Sequence, residues 1–258
     1  MPSRYALISF DVEEYDMPLE YNVPITPQQQ LTVGKAGLDA VLEVLTTVQV
    51  PTTLFTTAHF ANHYAATMQQ AAMQHEIASH TYYHSNYITE HLLSSKLALQ
   101  AITGTPVTGL RMPRLKQIPM QHVIAAGYGY DASINPTWLP GRYNHLHLPR
   151  THYMQHGMLR IPASVSPLVR FPLFWLSFKN LPFTLYYHML LAALRKDGVV
   201  SLYFHPWEFT AIQQYATPKY TRNPCGQQLL HKLHMLLHKL KQDAECITMC
   251  NYTQHITK

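Results

Sequence analysis

Short apolar runs rich in β-branched and aromatic residues alternate along the chain with longer segments whose apolar positions recur every three and four residues. That alternation is the sequence sign of βα units on a parallel sheet. The runs predict strands at 5–10, 52–56, 76–79, 109–111, 128–131, 158–161, 199–204 and 246–249. Helical spacing is clearest over 35–46, 59–73, 119–126, 185–196 and 227–243. About seven or eight such units with no linker between them predict one α/β domain over residues 1–258, closed as a (β/α) barrel. Segments 15–32, rich in Pro and Gln, and 137–153, rich in Pro, His and Tyr, break the rhythm and predict long loops. In a parallel barrel such loops border the working face. The aromatic stretch 171–183 reads as core packing or a small hydrophobic cap.

Composition narrows the class. Charged residues are 13% of the 258 and apolar ones 47%, which excludes a disordered or polyanion-like chain. The net charge of +5 comes from scattered basic residues, densest at Arg195-Lys196 and around Lys232, Lys239 and Lys241. With no basic run or motif, nucleic acid is not an expected partner. Three cysteines, Cys225, Cys246 and Cys250, cannot all pair and match no CxxC spacing, as expected of a reducing compartment. The apolar run 5–10 is too short for a signal-peptide core, and segment 185–194 is far below a membrane span. The expectation is a cytoplasmic protein without a membrane span.

Polar groups gather where the predicted strands end, which is where barrel sites are built. After the first strand come Asp11, Glu13, Glu14 and Asp16, a crowding that calls for a cation or an arginine unless the loop is simply solvated. After the third come His80 and His84, a pair that on a helical turn would face one way and chelate a metal. The same interval occurs at His59/His63, His152/His156 and His234/His238, but only His80/His84 follows a buried-looking strand and starts a loop. Later strand ends carry Arg111-Met112-Pro113-Arg114, Tyr130-Asp131-Ala132-Ser133 and His205-Pro206-Trp207-Glu208.

In this order the motifs resemble those of the polysaccharide deacetylase family, carbohydrate esterase family 4, also called the NodB homology domain. Ser9-Phe10-Asp11 is similar to its first motif; His80, Thr81 and His84 to its second; Arg111-Met112-Pro113 to its third. Tyr130-Asp131-Ala132-Ser133 and Leu202-Tyr203-Phe204-His205-Pro206 are similar to its fourth and fifth. The resemblance spans nearly the whole chain. It implies a distorted NodB-type barrel of about seven parallel strands that hydrolyses an N-acetyl or other amide bond with one divalent metal, usually zinc. It also implies roles: Asp11 as catalytic base, His80 and His84 as metal ligands, Arg111 as the residue holding the base, His205 as general acid, and Asp131 as the carboxylate that orients that histidine.

Where the family has a second aspartate as third metal ligand, this chain has Val12, in an Asp-Val-Glu-Glu pattern shared with a subset of relatives. Glu13 is then the expected third ligand, with Glu14 and Asp16 as alternatives. Arg114 stands where many members carry an aromatic residue. Arg114 and Pro113 are expected to wall the pocket, and Trp138 and Trp207 to stack on a sugar face. The expected partner is an N-acetylated sugar or oligosaccharide, cleaved by metal-activated water with a loop N–H of residues 111–114 holding the oxyanion. The alternatives are an allantoinase-like hydrolase that cleaves a small cyclic amide without metal, and a non-catalytic carbohydrate-binding barrel. A carboxylate-pair glycosidase would leave His80, His84 and His205 without roles.

Overall fold

The computed structural model describes residues 4–256. The strands are β1 (Tyr5–Val12), β2 (Thr53–Thr56), β3 (Glu76–Ser79), β4 (Gly109–Leu110), β5 (Tyr130–Asp131), β6 (Trp138–Leu139), β7 (Tyr143–Asn144), β8 (Tyr153–Gln155), β9 (Met158–Arg160), β10 (Val199–Phe204) and β11 (Glu245–Cys246). The helices are α1 (Pro27–Val48), α2 (Ala58–His63), α3 (Ala65–Ala72), α4 (His91–Thr103), α5 (Met120–Ala125), α6 (Trp175–Asn180), α7 (Phe183–Asp197), α8 (Lys219–Arg222), α9 (Gly226–Asp243) and α10 (Met249–Ile256).

One sheet runs in the order β10-β1-β2-β3-β4-β5-β9-β8, and helices cover its outer face. Its pairs are parallel except β8–β9. Because β10 takes one edge of β1 along Tyr5 to Phe10, β11 fits beside Tyr5 and Ala6 on the other edge, below the start of β2. Between β9 and β10 the closure is irregular: Ser164 N–H donates to Ser201 O and Ser201 N–H to the Ser164 hydroxyl, both at 2.8 Å. This is the distorted barrel that the motifs imply.

Alternation along β1 sets up the two layers. Ala6, Ile8, Phe10 and Val12 are buried against the helices, while Leu7 joins Phe55, Ala78, Leu159, Ile161 and Met249 in the barrel interior. The interior is filled at the N-terminal end of the strands by Ile247, Met249 and Tyr252. There Glu76 accepts hydrogen bonds from the Thr53 and Tyr130 hydroxyls at 2.8 and 2.7 Å and from Cys250 N–H at 2.9 Å, tying α10 to the barrel floor.

Several expectations need correction. The segment 15–32 is not all loop: a 3₁₀ turn forms at Met17–Tyr21, and α1 starts at Pro27 because Thr26 and Gln29 form a reciprocal capping box. The segment 137–153 carries the β6–β7 hairpin. The helix expected over 59–73 breaks at Tyr64, whose φ of −127° and ψ of 45° lie outside the helical region. The strand expected at 246–249 ends at Cys246, and Met249 opens α10. The cysteines are free thiols. Among the described residues no helix is long and apolar enough to cross a membrane.

Candidate active site

The inward alternation of β1 continues past its end, so Asp11 and Glu13 enter the barrel mouth while Val12 between them is buried in the outer layer. His80 follows β3, its N–H donating to Thr56 O at 2.9 Å. The His80/His84 pair does not ride on a helix as its spacing suggested. Instead Thr81 adopts a left-handed φ of 65° and donates its hydroxyl to Tyr83 O at 3.0 Å. This fold-back brings the His84 ring parallel to that of His80, 5.6 Å away at 22°.

Glu13, His80 and His84 offer ligand atoms within 4.8 Å of one another, and among the described residues they form the group able to hold a metal ion. Each imidazole presents Nε2 at 3.1 Å from Glu13 Oε2. Their Nδ1 atoms are already engaged, His80 on Arg111 O and His84 on Asp16 Oδ1, both at 2.8 Å. Nδ1 bonded outward and Nε2 turned inward is the arrangement of metal-ligating imidazoles. Glu13 Oε2 is buried, and despite those short distances it makes no aligned hydrogen bond. Burial raises the Glu13 carboxyl, but the imidazoles of His84, His80 and His205 outweigh it and hold the group well below the usual carboxylate range. Burial works against charge on His84 too, yet Glu13 and Asp16 lift it to about 9. A pocket that draws protons onto buried imidazoles is one in which a divalent cation would be stabilised, so these residues fit the implied metal. The alternatives for the third ligand are occupied elsewhere: Asp16 serves His84, and Glu14 accepts from the Thr57 hydroxyl at 2.6 Å.

Across the mouth, Arg111 Nη1–H donates to Asp11 Oδ1 at 2.6 Å, with its guanidinium sandwiched on Phe55 and Tyr203 at 4.1 and 5.2 Å. Asp11 Oδ2 faces His205 Nε2 at 3.9 Å. The carboxylate beside the His205 ring is not Asp131 but Glu208, whose Oε1 lies 3.2 Å from Nδ1 and accepts the His205 N–H at 2.9 Å. Burial lowers the His205 imidazole, but Glu208, Glu13 and Asp11 together raise it above its usual value. Asp131 instead pairs with buried Arg160 at 2.8 Å and accepts the Ser133 hydroxyl at 2.6 Å. The signal for Glu208 was present in the sequence: it stands three residues after His205, where a side chain caps a turn.

The expected walls are also redistributed. Trp207 is 1% exposed and donates Nε1–H to Glu13 Oε1 at 3.1 Å, so it braces the site rather than offering an open stacking face. Trp138 is 59% exposed on the β6–β7 hairpin and does not line the cavity, whereas Leu139, Pro140, Arg142 and Tyr143 of that hairpin do. Pro113 is buried outside the lining. Arg114 does line it and pairs with Asp16 and Glu20. Of the loop N–H groups proposed for an oxyanion, Arg111 donates to Ser79 O at 2.9 Å and Met112 to the Ser133 hydroxyl at 2.8 Å, which leaves Arg114. The cavity holds about 270 Å³, and both segments expected as loops border it, through Met17, Glu20 and Tyr21 on one side and the hairpin on the other. Phe174 and Trp175 of the aromatic stretch close it as a cap.

The fold is the distorted (β/α) barrel of the NodB type. Residues 32–132 match the polysaccharide deacetylase family. A structure assigned to a polysaccharide deacetylase of Mycobacterium smegmatis is 16% identical, with a TM-score of 0.66 over 100% of this chain and 92% of that one. One from Pseudomonas aeruginosa PAO1 is 14% identical, with a TM-score of 0.67 over 97% and 90%. The Puue allantoinase is 17% identical, with a TM-score of 0.63 over 99% and 91%. At these identities the likeness speaks for the fold. No curated protein matches the chain in sequence. The matched stretch, residues 32–132, carries the likeness to the polysaccharide deacetylase family, whose members are hydrolases acting on the amide bonds of N-acetylated sugars.

Proposed function

We propose that this protein is a metal-dependent deacetylase that removes the acetyl group from an N-acetylated sugar or oligosaccharide. The observation that carries the reading is the convergence of Glu13, His80 and His84 within 4.8 Å, facing Asp11 and His205 across one cavity. A single sheet running from Tyr5 to Cys246 supports one domain over residues 1–258.

Glu13 Oε2 and the Nε2 atoms of His80 and His84 would hold the metal, for which zinc suits a set of two imidazoles and one carboxylate. When bound, such a cation polarises the acetyl carbonyl and lowers the pKa of water from 15.7 toward about 7. Asp11 is the base: Arg111 fixes its Oδ1, leaving Oδ2 to take the proton of the attacking water. His205 is the acid. Its Nδ1 rests on Glu208, so Nε2 faces the reaction and gives its proton to the departing amine as the carbon–nitrogen bond breaks. The Arg114 N–H stands as the loop donor for the developing oxyanion.

The test is the metal content of the untagged protein by plasma mass spectrometry, beside the His80→Ala/His84→Ala variant, followed by acetate release from N-acetylglucosamine oligomers. Near-stoichiometric metal in the parent alone, with acetate released, supports the reading. Absence of metal in both after incubation with zinc overturns it in favour of the allantoinase-like alternative.

A further inference from the structure

A second buried charge stands behind Glu208. Lys179, on α6, is 1% exposed, and its Nζ lies 3.2 Å from Glu208 Oε2 and donates to Thr221 O at 2.7 Å. Glu208, itself 0% exposed, turns its other oxygen to His205. The His205 ring is stacked on Trp207, with centroids 4.8 Å apart at 22°, and meets Trp175 edge-on at 5.1 Å. The same two indoles flank the Lys179 ammonium at 5.6 and 5.9 Å.

A buried ion pair adds little stability over a well-packed apolar pair, because desolvation cancels the attraction. Its effect here is on what Glu208 can be. An ionised carboxylate is acceptor-only, so it demands a hydrogen on Nδ1; a protonated one could donate to Nδ1 and reverse the ring's tautomer. The ammonium beside Oε2 counters the burial that would otherwise raise the Glu208 carboxyl, and the group stays below the usual carboxylate range. The indole walls then block rotation of the imidazole.

We propose that Lys179 is a positioning residue that, through Glu208, locks His205 with Nδ1–H on the carboxylate and Nε2 toward Asp11. This rests on the reading of His205 as the acid that protonates the leaving amine.

Two readouts on the zinc-loaded protein test it. The first is the imidazole ¹⁵N–¹H spectrum, with His205 assigned by its loss in His205→Gln. The wild type is expected to show one downfield Nδ1–H, lost or exchange-broadened in Lys179→Met and restored in Lys179→Arg. The second compares an N-acetylglucosamine tetramer with 4-nitrophenyl acetate, whose leaving group departs without a proton. Because a positioned acid is worth roughly a hundred- to ten-thousand-fold, Lys179→Met is expected to lose at least tenfold more turnover on the amide than on the ester. A merely structural lysine would lower both together. Should Lys179→Met not fold, Lys179→Gln, which keeps an N–H for Thr221 O, carries both measurements. An unchanged Nδ1–H signal, or equal losses on amide and ester, overturns the inference. A wild type without amide turnover overturns the deacetylase reading, and the spectrum still decides the role of Lys179.

Discussion

Trp207 Nε1–H and Glu13 Oε1 are joined at 3.1 Å, which leaves Oε2 of that carboxylate turned to both imidazoles. A carboxylate held by one oxygen is aimed by the other. Trp207→Phe keeps the aromatic packing and removes the donor, so zinc affinity should fall about 10- to 100-fold, as expected when the partner that orients a ligand is lost. Competition with a chromophoric chelator measures it. An unaltered affinity would mean that the indole contributes packing alone.

Asp11→Asn should separate base from ligand. Asparagine keeps the shape beside Arg111 but cannot take a proton. Acetate release is expected to fall by about a hundredfold or more while bound zinc stays at the parental level. Loss of zinc in this variant would make Asp11 a ligand instead.

Asp131→Ala should act on the fold. It strips the partner from Arg160, which is 1% exposed, and breaking a buried pair costs about 3–5 kcal/mol. A denaturant midpoint close to the parental one, with activity lost, would put Asp131 back in the chemistry.

Gly37→Ala tests the support beneath the acid. A Cβ at residue 37 would meet Pro206 O at 2.1 Å, and one at Gly34 would meet Glu13 O at 2.5 Å, so α1 presses its backbone onto both site loops. Gly37→Ala should destabilise by about 1–3 kcal/mol, read from the denaturant midpoint, and lower turnover with it as Pro206 carries His205 away.

His75 predicts how stability depends on pH. Burial holds its imidazole down at about 4, from an ordinary 6.5. The unfolded chain therefore binds the proton first on acidification. Stability should be full above about pH 6.5 and fall by about 3 kcal/mol toward pH 4. His75→Gln should flatten that part of the urea-midpoint profile, and an identical slope in both proteins would remove His75 as its source.

The sequence revealed elements whose pattern matches their burial. β3 and β10 have the predicted bounds, and α9, whose inward face is almost all leucine, differs by one residue at its start. Helix α4 was missed because Leu93 and Leu97 are about half exposed while Ser95 is buried, which blurs the apolar stripe. Strand β9 was foreseen at 158–161, but its hairpin partner β8 was missed although His156-Gly157 is the signal, two adjacent residues with φ of 50° and 83° between short strands. In the site, residues at strand ends were legible because alternation fixes where they point. Glu208 was readable from its place three residues after His205, whereas Lys179 was not: its value comes from a contact with a distant segment, which spacing does not encode.

The plug of Ile247, Met249 and Tyr252, latched by Glu76, fills the barrel at the end opposite Asp11 and His205. On the proposed reading, a substrate would meet Asp11 and His205 from the mouth that Met17, Glu20, Tyr21 and the β6–β7 hairpin border. A fragment left deeper in that mouth would then depart after the outer one, and it is the product expected to compete with fresh substrate for the empty enzyme.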